Sequence, residues 1–260
     1  MHRLLVPAKT LESDQAVLPS DAAHHLKVVR PKPGETIELF DGAGRSRLFR
    51  CGAAATVPLA AAGDLVVAPP SASQVTLFAC VTKGSRWDWT IEKATELGVT
   101  RIVPVVSART IVRIGADERE AKRARWIRIA EDAARQSDAK WIPEIHEPVS
   151  FAESLPLVRE TTCFVGALTN PPPQPLLKAL IDLQQAAIPA PVPRSPFPVP
   201  HSPFPDSLSI YVGPEGDFSP EELAALIEIA TPVSFGPTIL RAETAAIYGV
   251  SVLKSFLDCR

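Results

Sequence analysis

Short apolar runs separated by turn signals occupy the first quarter of the chain. Leu4 to Val6, Thr36 to Phe40, Arg47 to Cys51 and Leu65 to Ala68 read as strands, with turns at Pro33-Gly34 and Asp41-Gly42. One helix interrupts them, Ser20 to Arg30, with Ser20 as its cap and Ala22, Leu26 and Val29 along one face. His24 and His25 are neighbours on that helix and point in different directions. The pattern therefore expects one to pack and the other to meet water, and does not expect both in one site. These elements predict a small β-rich domain over residues 1–70, most simply a barrel.

Beyond Pro69-Pro70 the period changes. Val75 to Val81 is a near-continuous apolar strand, Trp87 to Leu97 a helix closed by Gly98, and Arg101 to Val106 a second strand. Asp117 to Ser137 keeps helical spacing through Ala121, Ala124, Ile127, Ala130 and Ala134. A strand at Thr162 to Ala167, a helix at Leu176 to Gln185 and a strand at Leu208 to Val212 follow. Such alternation predicts an α/β domain over residues 71–260 with a parallel sheet covered on both faces. Ala187 to Pro205 is crowded with proline, which forms neither helix nor central strand, so it reads as an extended surface insertion.

Near the C-terminus two segments repeat one design, with glycine and proline directly after a short apolar run and directly before a helical pattern. Open α/β sheets place ligand loops at such points. In GPEGDFS, Gly213 to Ser219, Gly213 and Gly216 permit close approach to the backbone and Pro214 stiffens the loop; Ser219, Pro220 and Glu222 make a capping box. In FGPTILRAETAAIYGV, Phe235 to Val250, Gly236-Pro237 lead into a helix whose first turn is read as carrying Arg241 and Glu243. A carboxylate suits the positive end of a helix, whereas an arginine there calls for a negative partner, such as an RNA phosphate or a charge that develops during reaction. The last helix runs from about Ala242 to Leu257, its face small at first and bulky at the end, which suits a core or a subunit interface.

Composition narrows the classes. The 260 residues are 46% hydrophobic, enough for a sizeable core, and no apolar run approaches the length that crosses a bilayer. The start of the chain lacks the apolar stretch of a signal peptide, so a soluble cytoplasmic protein is expected. Cys51, Cys80, Cys163 and Cys259 lie far apart without metal-ligand spacing, so neither a disulfide scaffold nor a metal site is expected. A net charge of −2 excludes a generally basic coat but leaves room for local basic faces. Arg3, Lys27, Arg30 and Lys32 make one candidate, and Arg119, Lys122, Arg123, Arg125 and Arg128 another. Neither a P-loop nor a GxGxxG pattern is present, which counts against nucleotide hydrolysis and dinucleotide redox chemistry.

The C-terminal segments, together with KGSRWDWTIEKATELGV at Lys83 to Val99, RWIRIAEDAARQSD at Arg125 to Asp138 and HHLKVVRPKPGETIELFDG at His24 to Gly42, resemble the RsmE family, whose members methylate N3 of a uridine in small-subunit (16S) ribosomal RNA. The likeness spans nearly the whole chain. Asp217 stands where the family commonly has a second glycine, Thr238 where arginine is common and Ala242 where threonine is common. The resemblance implies a SPOUT-type parallel sheet with a C-terminal trefoil knot around S-adenosyl-L-methionine, a preceding PUA-like β-barrel that binds RNA, and a homodimer. Periodicity alone would suggest an unthreaded chain, since knots are rare.

The resemblance also distributes roles. Cofactor contacts fall to Ala167, Leu168, Val212, Gly213, Pro214, Gly216, Phe235, Gly236, Ile239, Leu240 and Thr244, with glycines near the adenine and Leu168, Ile239 and Leu240 over its faces. RNA contacts fall to Arg3, His25, Lys27, Arg30, Lys83 and Arg86. Uridine N3–H is a weak acid, so its methylation asks for a cation to stabilise the anion and a carboxylate to take the proton. Arg241 fits the first task and Glu243 the second, with orientation of Arg241 or capping as the rival role of Glu243. The other readings are an inactive RNA-binding or ribosome-assembly module of the same fold, and a methyltransferase with a different RNA target.

Overall fold

The structure, a computed structural model, describes residues 1–52, 58–158, 161–187 and 205–259. Nearly all of the proline-rich insertion expected at 187–205 lies outside the described residues. The chain divides into two compact units, Met1–Ser71 with Ile127–Pro143, and Ala72–Trp126 with Glu144–Arg260. The boundary near residue 70 is where the hydrophobic period changes, but that period gives no sign that residues 127–143 belong to the first unit.

The first unit contains β1 (Arg3–Leu5), α1 (Ala8–Glu12), β2 (Gln15–Ala16), α2 (Ser20–Val29), β3 (Thr36–Phe40), β4 (Arg45–Arg50), β5 (Leu59–Ala61) and β6 (Val66–Val67). Its sheet runs β1-β3-β4-β5-β2, with β6 also paired to β4. β1 lies parallel to β3, and the remaining ladders are antiparallel. Leu4, Leu11, Leu26, Ile37, Leu39, Phe49 and Leu59 pack into its core. Ser20 is the first helical residue and not the cap; Pro19 holds that position without a side-chain bond. Ser20 instead donates its hydroxyl to Asp21 Oδ1 at 3.3 Å.

The second unit contains β7 (Gln74–Cys80), α3 (Ser85–Glu96), β8 (Arg101–Val106), the start of α4 (Arg119–Gln136), β9 (Glu144–Ile145), β10 (Val149–Ser150), α5 (Phe151–Ser154), β11 (Thr162–Gly166), α6 (Leu176–Ala187), β12 (Ser207–Val212), α7 (Pro220–Ile227), β13 (Thr231–Val233) and α8 (Ala242–Asp258). Every ladder of its sheet is parallel, in the order β10-β8-β7-β12-β11-β13 with β9 beside β8. Strands buried on both faces read as unbroken apolar runs, which is why β7 and β12 were legible as strands. Phe78 and Tyr211 stack across β7 and β12 with ring centroids 4.4 Å apart. The expected α/β class with a parallel sheet is what the structure has.

Sheet order is the feature that no hydrophobic pattern reveals. β12 inserts between β7 and β11, so the C-terminal ends of β11, β12 and β13 stand side by side. α8 then packs against α3, β7 and β12. Cys51, Cys80 and Cys163 are buried free thiols, and Cys259 is exposed. Burial pushes the Cys80 thiol up to about 12, which leaves it uncharged at neutral pH. Among the described residues no helix is long and apolar enough to cross a membrane, and no cluster of His, Cys, Asp and Glu could hold a metal ion.

Candidate active site

The loops that leave β11, β12 and β13 enclose one cleft. Ala167, Leu168, Val212, Gly213, Pro214, Phe235, Gly236, Ile239 and Leu240 line it, so most of the residues expected around a methyl donor are brought together. Gly216 and Thr244 are not in its wall; Thr244 lines a neighbouring groove. Glu215, Asp217, Ser234 and Ala245 also line the cleft, and sequence reasoning missed them.

Local chemistry fixes each loop. Pro214 C=O accepts from the Asp217 N–H at 2.9 Å, closing a tight turn, and Arg109 Nη1 donates to the Gly216 carbonyl at 2.7 Å. Phe218 is buried with its ring edge-on to Tyr211, pinning the loop into the core. Ser219 and Glu222 form the expected capping box: the Glu222 N–H donates to Ser219 Oγ at 3.2 Å and the Ser219 N–H to Glu222 Oε2 at 3.0 Å. In the third loop Gly236 takes φ +124, a conformation for which glycine is suited. Phe235 lies so close over Gly166 that a Cβ there would meet its ring at 2.4 Å.

Asp217 explains one departure from the family pattern. Its φ of +59 is the left-handed region where a glycine is at ease. Aspartate tolerates that region when its side chain bonds locally. Here Oδ1 accepts from the Phe218 N–H at 2.8 Å, and Oδ2 accepts from the Leu168 N–H at 3.1 Å, which ties the second loop to the first.

The cleft wall combines apolar surface with a carboxylate. Leu168 is 62% exposed and Ile239 80% exposed, large apolar surface left facing open space in the wall of a cleft. Glu215 adds a carboxylate to the same wall.

Arg241 and Glu243 line the adjoining groove with Ser85, Arg86, Trp89 and Thr244. The two cavities share one stretch of chain: Leu240, Ala242 and Ala245 face the cleft, while Arg241, Glu243 and Thr244 face the groove. Arg241 is the N-cap of α8, with extended backbone, and not part of its first turn as the sequence suggested. It is exposed, and among the described residues it has no ion pair. Glu243 is buried in the first turn. Its Oε1 lies 3.9 Å from Arg86 Nε, and its Oε2 has no hydrogen-bond partner. Arg86 Nη1 donates to Glu215 Oε1 at 3.2 Å, so Arg86 belongs beside the candidate chemistry.

The other residues expected at RNA divide. Lys27, Arg30 and Lys83 are exposed. Arg3 is a correction: it is buried, donates from Nε to Glu38 Oε2 at 2.6 Å, from Nη1 to the Ala134 carbonyl at 2.8 Å and from Nη2 to the Ala139 carbonyl at 3.2 Å. Buried and so engaged, with Asp138 Oδ1 also 3.0 Å from Nε, this guanidinium does not face solvent as a phosphate contact requires. His24 and His25 both line one cavity of the first unit, contrary to the expectation that they could not share a site. The cavity is wide enough to span the roughly 100° between adjacent helical side chains. Burial, and then Arg135, hold the His25 imidazole below its ordinary value.

The architecture and loops have known counterparts. The RNA methyltransferase domain family matches residues 69–254. Ribosomal RNA small subunit methyltransferase E of Mycobacterium bovis is 31% identical over 255 residues, which is 94% of this chain and 88% of the relative. The Bacillus subtilis protein of that name is 31% identical over 172 residues, 66% of this chain and 61%, less than two thirds, of the relative. The structure of ribosomal RNA small subunit methyltransferase E from Neisseria gonorrhoeae bound to S-adenosyl methionine is 26% identical, with a TM-score of 0.75 over 98% of this chain and 97% of that one. On the domain match and the near-complete relative together, this chain belongs to the RNA methyltransferase domain family, among the ribosomal RNA small subunit methyltransferases E.

Proposed function

We propose that this protein transfers a methyl group from S-adenosyl-L-methionine to N3 of a uridine in small-subunit ribosomal RNA. The observation that carries the reading is that one stretch, residues 240–245, lines the cleft on one side and a groove with an unpaired cation and a buried carboxylate on the other. The cofactor, when bound, supplies an electrophilic methyl group on a sulfonium. Leu168, Ile239 and Leu240 would cover its adenine, Gly213 and Gly236 would let the backbone approach, and Glu215, paired with Arg86, would face its positive charge. Asp217 keeps the first two loops at a fixed separation.

The remaining work belongs to the groove. Positioning supplies much of the rate of an in-line displacement. Glu243 Oε2, which has no other partner, accepts the N3 proton; Arg241 stabilises the negative charge that develops on the uracil. The donor would supply the methyl carbon to N3 and would leave as the neutral thioether, while the residues of this chain orient the base and take its proton. No ion pair joins Glu243 to Arg241 among the described residues, and its Oε2 has no partner, which favours this role over orientation of Arg241.

The same reading takes the first unit as a PUA-like barrel that holds RNA through Lys27, Arg30 and His25, with Lys83 and Arg86 contributing near the reacting base. It takes residues 1–70 and 71–260 as the two domains, the C-terminal loops as a trefoil knot, and the cytoplasm as the compartment. The insertion of β12 between β7 and β11, with α8 packed back on β7, supports the knot. A homodimer is supported by apolar side chains left exposed on α6 and α8, namely Leu177, Ile181 and Tyr248.

The test is methylation of small-subunit RNA from cells lacking the modification, with the product nucleoside identified by mass. Wild type is expected to yield 3-methyluridine. Arg241→Ala is expected to keep its fold and donor affinity and to lose about 10²–10³ in turnover. Wild-type turnover in that variant removes Arg241 from the mechanism, and absence of donor binding by wild type overturns the enzymatic reading.

A further inference from the structure

The groove beside the cleft contains more than the two catalytic candidates. α3 and α8 both begin at it without a side-chain cap, Gly84 preceding one and Arg241 serving the other. A helix start carries unpaired N–H groups and partial positive charge. Arg86 and Arg241 add two guanidinium groups. A lone anion would satisfy these features.

Glu243 rules that occupant out. It is 9% exposed, it lines the same groove, and its Oε2 lacks a partner. A buried acceptor without a donor costs about 1–3 kcal/mol, more when charged, and a phosphodiester, which carries no O–H, brings no proton to it. The occupant must offer an N–H or O–H at that point, with acceptors for the guanidinium groups beside it.

Trp89 adds a third constraint. Trp87 and Trp89 are two residues apart on α3 and so lie on different faces. Trp87 is buried edge-on to Trp126 with ring centroids 5.6 Å apart, whereas Trp89 is 40% exposed and forms part of the groove wall. An exposed indole beside two cations and a buried acceptor is a face on which a planar ring can stack.

We propose that this groove is the pocket for a single unpaired uracil, stacked on Trp89, its N3–H directed at Glu243 and its flanking carbonyl oxygens accepting from Arg86 and Arg241. Of the four RNA bases only uracil presents an acceptor–donor–acceptor edge. Cytosine has an acceptor where Glu243 needs a donor, adenine has no ring N–H on that edge, and guanine has a second donor where a guanidinium needs an acceptor. The base reaches the groove splayed out of its stack, as chemistry on a base requires. The proposal deepens the methyltransferase reading and rests on it; what is new is Trp89 as the stacking platform and Arg86 as the second carbonyl donor.

Trp89→Leu and Trp89→Phe separate stacking from packing. Methyl-donor affinity is measured by calorimetry, and KM and kcat with unmodified small-subunit RNA. Stacking contributes about 1–3 kcal/mol per base, so Trp89→Leu is expected to raise KM for RNA about 5- to 150-fold at unchanged donor affinity, with Trp89→Phe within a few-fold of wild type. Tryptophan emission of the wild type is expected to be quenched by RNA, and that quenching to be reduced in Trp89→Phe, which decides the matter should Trp89→Leu fail to fold; Trp141 is the other exposed indole among the described residues. A Trp89→Leu enzyme with wild-type KM, a Trp89→Phe enzyme as impaired as Trp89→Leu, or quenching undiminished in Trp89→Phe overturns the pocket. Each of those results requires an active wild type, whereas a wild type that methylates no RNA brings down the functional reading instead.

Discussion

The protein contains two arginine–glutamate pairs of opposite character. In the first unit Arg3 and Glu38 meet at 2.6 Å, both buried, and both carboxylate oxygens of Glu38 are engaged. Lys140 Nζ donates to Glu38 Oε1 at 2.7 Å, the Ala134 and Ala139 carbonyls each take one further arginine donor, and the guanidinium lies 4.1 Å over the Phe40 ring. In the second unit Arg86 and Glu243 stand 3.9 Å apart, Arg86 is shared with Glu215, and one carboxylate oxygen is unpaired. Burial alone does not separate the two glutamates, at 5% and 9% exposure. Satisfaction does. A structural ion pair completes its bonds within the fold, while a site that must receive a ligand keeps an atom in reserve.

The largest effect on stability is expected where the bonds are closed. Glu38→Gln leaves Arg3 buried without its main counter-charge, and breaking a buried pair from one side costs about 3–5 kcal/mol. Urea denaturation measures this; a loss below about 1 kcal/mol would erase the contrast between the two pairs. The pair also sets an acid limit. Burial pushes the Glu38 carboxyl up, but hydrogen bonds from Lys140, Ser46 and Arg3 outweigh it and hold the group below its ordinary value of 4.5. A carboxyl with a depressed folded value stabilises fully above the unfolded value and loses that contribution as pH falls through the folded one. Wild type is therefore expected to lose stability below about pH 4.5 more steeply than Glu38→Gln.

Glu243→Gln sharpens the comparison from the other side. The amide keeps the volume and removes a charge with only a long contact to Arg86, so stability is expected to change by less than about 1 kcal/mol. Turnover is expected to fall about 10²–10⁴-fold, the usual contribution of a positioned base. Stopped single-turnover assays beside a urea titration give both numbers on one sample. A variant that unfolds like Glu38→Gln but still methylates would assign Glu243 a structural role.

The cleft was legible and the groove only half so, for physical reasons. Glycine and proline directly after an apolar run leave little but a strand-end loop, so Gly213-Pro214 and Gly236-Pro237 marked two walls of the cleft without any structure. Trp89 gave no such signal, because a tryptophan in a helix pattern reads as core. The spacing from Trp87 carried the only hint, since residues two apart cannot both face inward. Arg3 misled for the converse reason: a charge near the terminus looks solvated, and its partners lie at positions 38, 134 and 139, which no local pattern connects. Strands of two or three residues such as β2, β5, β9 and β10 are too short to show a period. The place of β12 in the sheet is a long-range fact, absent from any window of sequence.

The smallest expected effect concerns Asp217, a second carboxylate that closes its bonds, this time inside the site. Replacement by glycine removes the cost of φ +59, about 1 kcal/mol or more for a non-glycine residue. It also removes the bonds from the Leu168 and Phe218 N–H groups, each contributing about 0.5–1.5 kcal/mol, more for a charged acceptor. These terms nearly cancel, so Asp217→Gly is expected to lie within about 1 kcal/mol of wild type in a urea titration. Asp217→Ala keeps the strained backbone and loses both bonds, so it is expected to be about 1–2 kcal/mol less stable than Asp217→Gly. Donor affinity should follow the bond to Leu168 and fall in both variants by a similar few-fold factor. If only Asp217→Ala loses affinity, the backbone conformation at this position, and not the carboxylate linking the two loops, is what shapes the cleft.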